Sequence, residues 1–351
     1  MKRTKKPISK LSDQMKRKVS GTPTKRPEYD GDVTEMVSTG STLLDLAISG
    51  GRVRGGGIPA GVLVEIFGPS GSGKTVLLSE LAGTIQRTGG QVMFHDPEAR
   101  LNKQFAKIFD LDVDEMSYQT PDTVPQVFSK VREWNPKPLD AIHGVFADSL
   151  AALSTDMEMG KDEGDKMGMR RAKEFSEELR KTCRILTQKK LLMVCSNQVR
   201  QNLDAGQFGQ KYSSPGGEAI GFYSSLRLRT FKPEKIKKKL KIAGKEVMRV
   251  VGVNVFVEVF KNSTWKPHRT AHLTILFDYG IDDIRQNLQF IKDYTSNTTY
   301  SVGEKTLNIS IDKSIQIVER DGLEEILRDQ VIDLWEDIES KFDSVRKDKK
   351  R

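Results

Sequence analysis

The 351-residue chain has only two cysteines, Cys183 and Cys195, each set among apolar neighbours. That is too few for a disulfide-stapled fold and gives little support to a metal or nucleophile role, so both read as structural thiols in a reducing cytoplasm. Long apolar runs are also missing. No stretch approaches the roughly 20 residues of a membrane span, and the basic start has no apolar run of the signal-peptide kind. Membrane and secreted classes are therefore set aside, and a cytoplasmic location is expected. Charged residues make up 30% and hydrophobic ones 36%, a balance that suits one large core with one or two small appendages.

The net charge of +9 is concentrated in blocks. Residues 1–30 hold +7, residues 232–249 hold +6 and residues 341–351 hold +4, which leaves about −8 on the rest. Basic blocks on an acidic body point to contact with a polyanion at chosen places. A solvated lysine surface is the competing reading. In the first block, Ile8, Leu11, Met15 and Val19 fall at helical spacing, with Ser9 as N-cap and Gly21 and Pro23 as stops. A helix this short is marginal alone. It is expected to dock elsewhere, on another subunit for example, and a disordered basic tail is the alternative.

Residues 68–75 read GPSGSGKT, the pattern G-x-x-x-x-G-K-[ST]. An apolar strand, Val62 to Phe67, precedes it, and helix formers from Val76 to Ala82 follow it. A strand, a glycine-rich turn and a helix start together form a phosphate cradle. Gly68, Pro69, Ser70, Gly71, Ser72 and Gly73 supply its backbone, Lys74 would reach the β- and γ-phosphates, and Thr75 would bind Mg²⁺. The chain is expected to bind a nucleoside triphosphate.

Strands and helices then alternate. Strands are expected at 92–95, 141–147 and 191–196, and helices near 100–109, 124–134 and 168–189. This order predicts an α/β fold, a mainly parallel twisted sheet with helices on both faces. Ligands bind beyond the carboxyl ends of such strands. There the chain places Asp96 and Glu98, then Asp148, then Asn197 and Gln198. Asp148 fits a carboxylate that holds Mg²⁺, Glu98 a group that orients or deprotonates water, and Gln198 a sensor of the γ-phosphate. Their coincidence favours ATP hydrolysis over mere binding. Two long loops, 156–168 and 200–217, leave the same face. Lys166, Met167, Arg170 and Arg171 lie in or beside the first, and Arg200, Leu203, Phe208 and Lys211 in the second. Backbone cations with an apolar wedge suit single-stranded nucleic acid, while a surface loop without a partner is the plainer reading.

Over roughly residues 35 to 300 the chain resembles the bacterial and phage RecA-type recombinases. The resemblance rests on Ser38-Thr39-Gly40-Ser41, the phosphate loop, Asp96-Pro97-Glu98, Asp148 to Leu153, Asn197-Gln198-Val199-Arg200, and Gly216-Gly217 leading to Phe222-Tyr223 and Leu226-Arg227-Leu228. It implies an RecA-like P-loop core and an ATP-dependent recombinase. Such a protein forms a helical filament on single-stranded DNA, pairs it with homologous duplex DNA and hydrolyses ATP at subunit interfaces. It implies that Phe105 lies against adenine, and that the two loops, closed by Gly216 and Gly217, bind DNA with Met167 and Leu203 between base groups. Lys261 would reach the γ-phosphate held by a neighbouring subunit. Residues 1–34 would be a subunit-contact arm with its tether, 35–280 the ATPase core and 281–351 a small α+β domain.

The chain departs from the family pattern at several places. Ser263 stands where a second interface lysine is expected, with Lys266 near enough to compensate. Asn102 replaces an aspartate beside the adenine site, the end is basic where many bacterial members are acidic, and a lysine-rich hairpin at 232–246 is an elaboration. These suggest a divergent member, of a phage. In the small domain a helix is expected from Ile281 to Ile291, a hairpin from Tyr300 to Ile311 around Gly303, and a long helix from about Leu323 to Phe342. Two other readings compete with the recombinase: a ring-forming RecA-like helicase or switch ATPase, and a binding module in which ATP is structural.

Overall fold

The computed structural model describes residues 33, 35–154, 167–198, 200–201, 212–213 and 218–346. The N-terminal helix expected within 1–34, most of both expected DNA loops and the basic residues 347–351 lie outside them.

Nine strands form the main sheet: β1 (Leu63–Gly68), β2 (Val92–His95), β3 (Ser117–Gln119), β4 (His143–Ala147), β5 (Leu191–Gln198), β6 (Leu226–Ile242), β7 (Lys245–Asn262), β8 (Thr270–Leu276) and β9 (Gly280–Ile281). Their order across the sheet is β9-β8-β7-β6-β1-β5-β4-β2-β3. Pairings from β6 through β3 are parallel, and those from β6 to β9 antiparallel. The sheet is thus mainly parallel, as expected.

Helices on both faces explain why β1, β2, β4 and β5 read as apolar runs rather than alternating patterns. The helices are α1 (Thr42–Ser49), α2 (Lys74–Arg87), α3 (Lys103–Lys107), α4 (Val124–Glu133), α5 (Met167–Gln188), α6 (Glu218–Tyr223), α7 (Asp283–Tyr294), α8 (Ile311–Asp321) and α9 (Glu324–Ser340). Successive strand residues point to opposite faces. Val64, Ile66 and Phe94 join Leu77, Leu81 and Ile85 of α2 in one apolar cluster, while Leu63 and Met93 join Phe128 of α4 and Phe175 of α5 in another. A third cluster gathers Leu288, Ile291, Tyr300, Val318, Leu327 and Val331 around Leu46 of α1. Thr42 ties α1 to α7, with its amide and hydroxyl donating to Asp283 at 2.8 and 2.7 Å.

The structure corrects several expectations. The helix expected over 100–109 is only α3, flanked by positive-φ residues Ala99 and Asp110. β3 has no sequence signal because Ser117-Tyr118-Gln119 is a half-buried edge without an apolar run. β8, β9 and α8 have no counterpart among the expected elements. The expected hairpin turns at Ala243-Gly244, where φ is +50° and +80°, the positive pair that a tight hairpin favours. Its strands are far longer than 232–246, running from Leu226 to Asn262. The second hairpin turns at Gly303 and ends at Thr306, and Ile311 instead opens α8. No helix among the described residues is long and apolar enough to cross a membrane.

Candidate functional site

The phosphate loop joins the end of β1 to the start of α2. At Gly68 an added Cβ would lie 2.0 Å from Thr230 Oγ1 of β6, so glycine is required by close approach. Gly73 caps α2 at φ +80° with no side-chain acceptor, which leaves the helix's positive end for an anion. Ser72 fastens the loop itself. Its Oγ donates to Pro69 O at 2.7 Å and lies 2.7 Å from Thr230 Oγ1. Lys74 is buried, and its Nζ donates to Gly68 O at 3.1 Å and Pro69 O at 2.7 Å. Burial lowers its pKa, and Asp148 opposes that shift. An ammonium held at the mouth of the loop is placed to exchange these carbonyls for phosphate oxygens.

β4 delivers Asp148 to the same place. Thr75 Oγ1 donates to Asp148 Oδ2 at 2.6 Å, and Ser196 Oγ of β5 donates to Asp148 Oδ1. One hydroxyl and one carboxylate form a hard-oxygen donor pair suited to Mg²⁺, which keeps most of its positions for water and phosphate oxygens. No group of three or more His, Cys, Asp or Glu able to hold a metal occurs among the described residues.

The acids after β2 divide. Asp96 is buried and accepts from Leu101 N at 2.7 Å and Tyr118 Oη at 2.8 Å, so it shapes the turn instead of facing a ligand. Glu98 is partly exposed and paired with Arg100 at 2.7 Å. After β5 a similar division appears. Gln198 is exposed at the strand end. Asn197, which was expected to face the site, is fully buried and donates from Nδ2 to Glu65 Oε1 at 3.0 Å.

Glu65 is a functional candidate beyond those expected from the sequence. It sits fully buried in the middle of β1. Arg227 Nε of β6 donates to its Oε2 at 2.6 Å, and the guanidinium lies 4.6 Å from the Phe67 ring centroid and 5.3 Å from that of Phe260. This network ties the phosphate-loop strand to the strand that carries Gln198. The available signal was a lone glutamate inside the apolar run Val62 to Phe67.

A family model, the RecA N-terminal domain, matches residues 16–282. Similar proteins include Protein RecA of Borrelia turicatae, 36% identical over 251 residues, which are 72% of this chain and 65% of that one. Protein RecA of Borrelia hermsii is 32% identical over 79% of this chain and 75% of its own length. Protein RecA of Bacillus thuringiensis is 30% identical over 89% and 83%. The chain belongs to the RecA family. Its class is that of the ATP-dependent recombinases, which are nucleotide-binding, DNA-dependent ATPases of the P-loop kind.

Within this RecA-family chain the remaining expected residues are spread over several elements. Phe105 of α3 is half-buried and meets Phe109 edge to face at 5.0 Å. Asn102 caps α3, its Oδ1 accepting from Phe105 N at 2.8 Å. That capping role suits asparagine as well as aspartate. Lys261 Nζ donates to Gly221 O and Phe222 O, both at 2.9 Å, at the carboxyl end of α6. Lys266 is engaged with Asp343 at 3.2 Å. Ser38 and Thr39 of the family's opening motif enclose Asp45. Thr39 N and Oγ1 donate to this buried carboxyl at 2.8 and 2.7 Å, and burial raises its pKa to about 7.

Of the expected DNA contacts, Lys166, Leu203, Phe208, Lys211, Gly216 and Gly217 lie outside the described residues. Met167 and Arg170 belong to the first turn of α5. Arg171 donates to Leu150 O at 3.1 Å and Ala151 O at 2.8 Å, which ties the start of α5 to the turn after Asp148. Arg200-Gln201 pairs antiparallel with Tyr212-Ser213, so the stem of the second loop is a short ladder.

Proposed function

We propose that this chain assembles as a helical filament on single-stranded DNA, pairs it with homologous duplex DNA and exchanges strands, with Mg-ATP bound between neighbouring subunits. The observation that carries this reading is the junction of Thr75, Asp148 and Ser196, which joins the phosphate loop to two further strand ends. Gln198 then stands at the last described position before the second loop. Lys74 and the loop amides hold the β- and γ-phosphates, Phe105 lies against the base, and Thr75 and Asp148 hold Mg²⁺. When bound, the metal would supply positive charge that stabilises the phosphates. Glu98, released from Arg100, orients the attacking water, and Gln198 senses the γ-phosphate. Lys261 leaves the α6 carbonyls to meet the γ-phosphate of the adjacent subunit, so assembly and hydrolysis are coupled. The loops 156–168 and 200–217 hold the single strand through their cations and apolar residues. In the same reading 1–34 is the subunit-contact arm, 35–280 the core and 281–351 a small domain, in a cytoplasmic protein.

Electron microscopy with and without single-stranded DNA and a slowly hydrolysed ATP analogue tests this reading. Helical filaments that need both ligands are expected, and discrete closed rings would overturn it in favour of a ring-forming ATPase. Lys74→Ala should lower DNA-stimulated hydrolysis by at least about a hundredfold, since it removes the one cation the phosphate loop supplies.

A further inference from the structure

Two strands of the main sheet run well past it. β6 pairs with β1 only over Leu226–Arg229, and β7 meets β8 only from Gly252 to Glu258. Beyond both limits β6 and β7 continue as a free ribbon, from Lys237 opposite Val250 to the Ala243-Gly244 turn. At about 3.4 Å per residue it projects roughly 20 Å.

Directly opposed residues of an antiparallel pair share a face. The register Lys237↔Val250, Lys239↔Met248 and Lys241↔Glu246 defines one face, and Lys238↔Arg249, Leu240↔Val247 and Ile242↔Lys245 the other. A hairpin resting on a core would alternate apolar and polar residues, with one face dry. Here both faces carry cations, and apolar groups stay in water on both, with Leu240 53%, Ile242 57% and Met248 47% exposed. Eight Lys/Arg against two Glu give residues 232–250 a charge of +6. A bare two-stranded ribbon is marginal in water, so this one is suited to a partner that is anionic on two sides and less polar between them.

Duplex DNA has that form. Its major groove admits a two-stranded β-ribbon, has a row of phosphates along each wall and exposes base edges and thymine methyl groups at its floor. A single strand offers only one row. We propose that residues 232–250 form an arm that enters the major groove of duplex DNA, with the lysines of its two faces reaching phosphates on the two walls. Long lysine stems can reach sideways while the apolar side chains remain in the groove. The proposal rests on the recombinase reading and deepens it by assigning a duplex-binding element to this fold.

The test uses full-length protein and two triple variants, Lys237→Gln/Lys239→Gln/Lys241→Gln and Lys238→Gln/Lys245→Gln/Arg249→Gln. Binding of a 30-base-pair duplex and of a single-stranded oligonucleotide is followed by anisotropy across a salt series, beside single-strand-stimulated ATP hydrolysis. Each triple should lose at least about tenfold in duplex affinity, and its salt slope should fall by roughly 2–3, at about 0.9 per phosphate contact. Single-strand binding and stimulated hydrolysis should stay within about twofold of the parent. Replacing the same lysines by arginine should keep duplex affinity. Methyl green in the major groove should compete with the parent for duplex, and netropsin in the minor groove should not. Unchanged duplex affinity and slope in both triples would overturn the proposal. So would parallel loss of single-strand and duplex binding, or loss of self-association without DNA, which would make the ribbon a contact between copies. If the parent showed no single-strand-stimulated hydrolysis, the recombinase reading would fail, while the parent-to-variant change in duplex slope would still test the arm.

Discussion

Replacing Glu65 by alanine should destabilise the core more than its small volume change suggests. The carboxylate is fully buried and accepts from Arg227 Nε at 2.6 Å and Asn197 Nδ2 at 3.0 Å. At about 3 Å and an effective dielectric of about 20, the attraction to Arg227 is about 5–6 kcal/mol before desolvation is subtracted. Most of that is offset by removing both charges from water. Deleting one partner, however, leaves a guanidinium that is only 19% exposed with no counter-charge, and such losses run to about 3–5 kcal/mol. The double variant Glu65→Leu/Arg227→Met removes both charges and should lose much less than the two single variants combined. Urea unfolding of the parent, Glu65→Leu, Arg227→Met and the double variant, followed by circular dichroism, measures the coupling, and Glu65→Ala is unfolded beside them. A loss under about 1 kcal/mol for Glu65→Ala, or strict additivity in the cycle, would refute the argument. Asn197 immediately precedes Gln198, so Glu65→Ala should also blunt DNA-stimulated hydrolysis in the fraction that remains folded.

Glu98→Gln should bind nucleotide and assemble on DNA but turn over at least about a hundredfold more slowly; turnover at the parent rate would remove Glu98 from the water-orienting role. Lys261→Ala should retain nucleotide binding and lose stimulation by single-stranded DNA, whereas hydrolysis independent of DNA and of protein concentration would contradict a shared site. His95 is buried without a hydrogen-bond partner for either ring nitrogen among the described residues, and burial lowers its pKa from 6.5 to about 4. Its contribution is therefore complete above about pH 6.5 and lost as the pH falls toward 4, about 3 kcal/mol in all. His95→Leu should flatten that part of the acid limb in urea titrations between pH 7 and 4, and an unchanged difference between parent and variant across that range would show that His95 does not titrate there.

Much of the site was legible because its chemistry is local. Residues 68–75 carry the cradle, its cation and the hydroxyl proposed to bind metal within eight positions, and β1 and α2 flank it as the sequence predicts. Apolar runs ending in polar residues located Asp148 and Gln198, because a strand buried on both faces must stop where its side chains meet solvent. The neighbouring pairs were not separable in this way. Asp96 and Glu98, or Asn197 and Gln198, follow the same strand ends, and only packing decides which side chain turns inward to Tyr118 or Glu65.

The partnership of Glu65 with Arg227 spans 162 positions and exists because parallel register sets these residues opposite one another in β1 and β6. No local pattern encodes that register. The ribbon follows the same rule. Its lysines and its turn were visible in the sequence, but not its length or its two exposed faces. Those follow from where β1 and β8 cease to pair with β6 and β7. The sequence by itself determined the nucleotide chemistry and the family, since both reside in short contiguous motifs. Tertiary structure decided which polar groups are spent on holding the sheet together and which remain free to act, because burial and register depend on the whole chain.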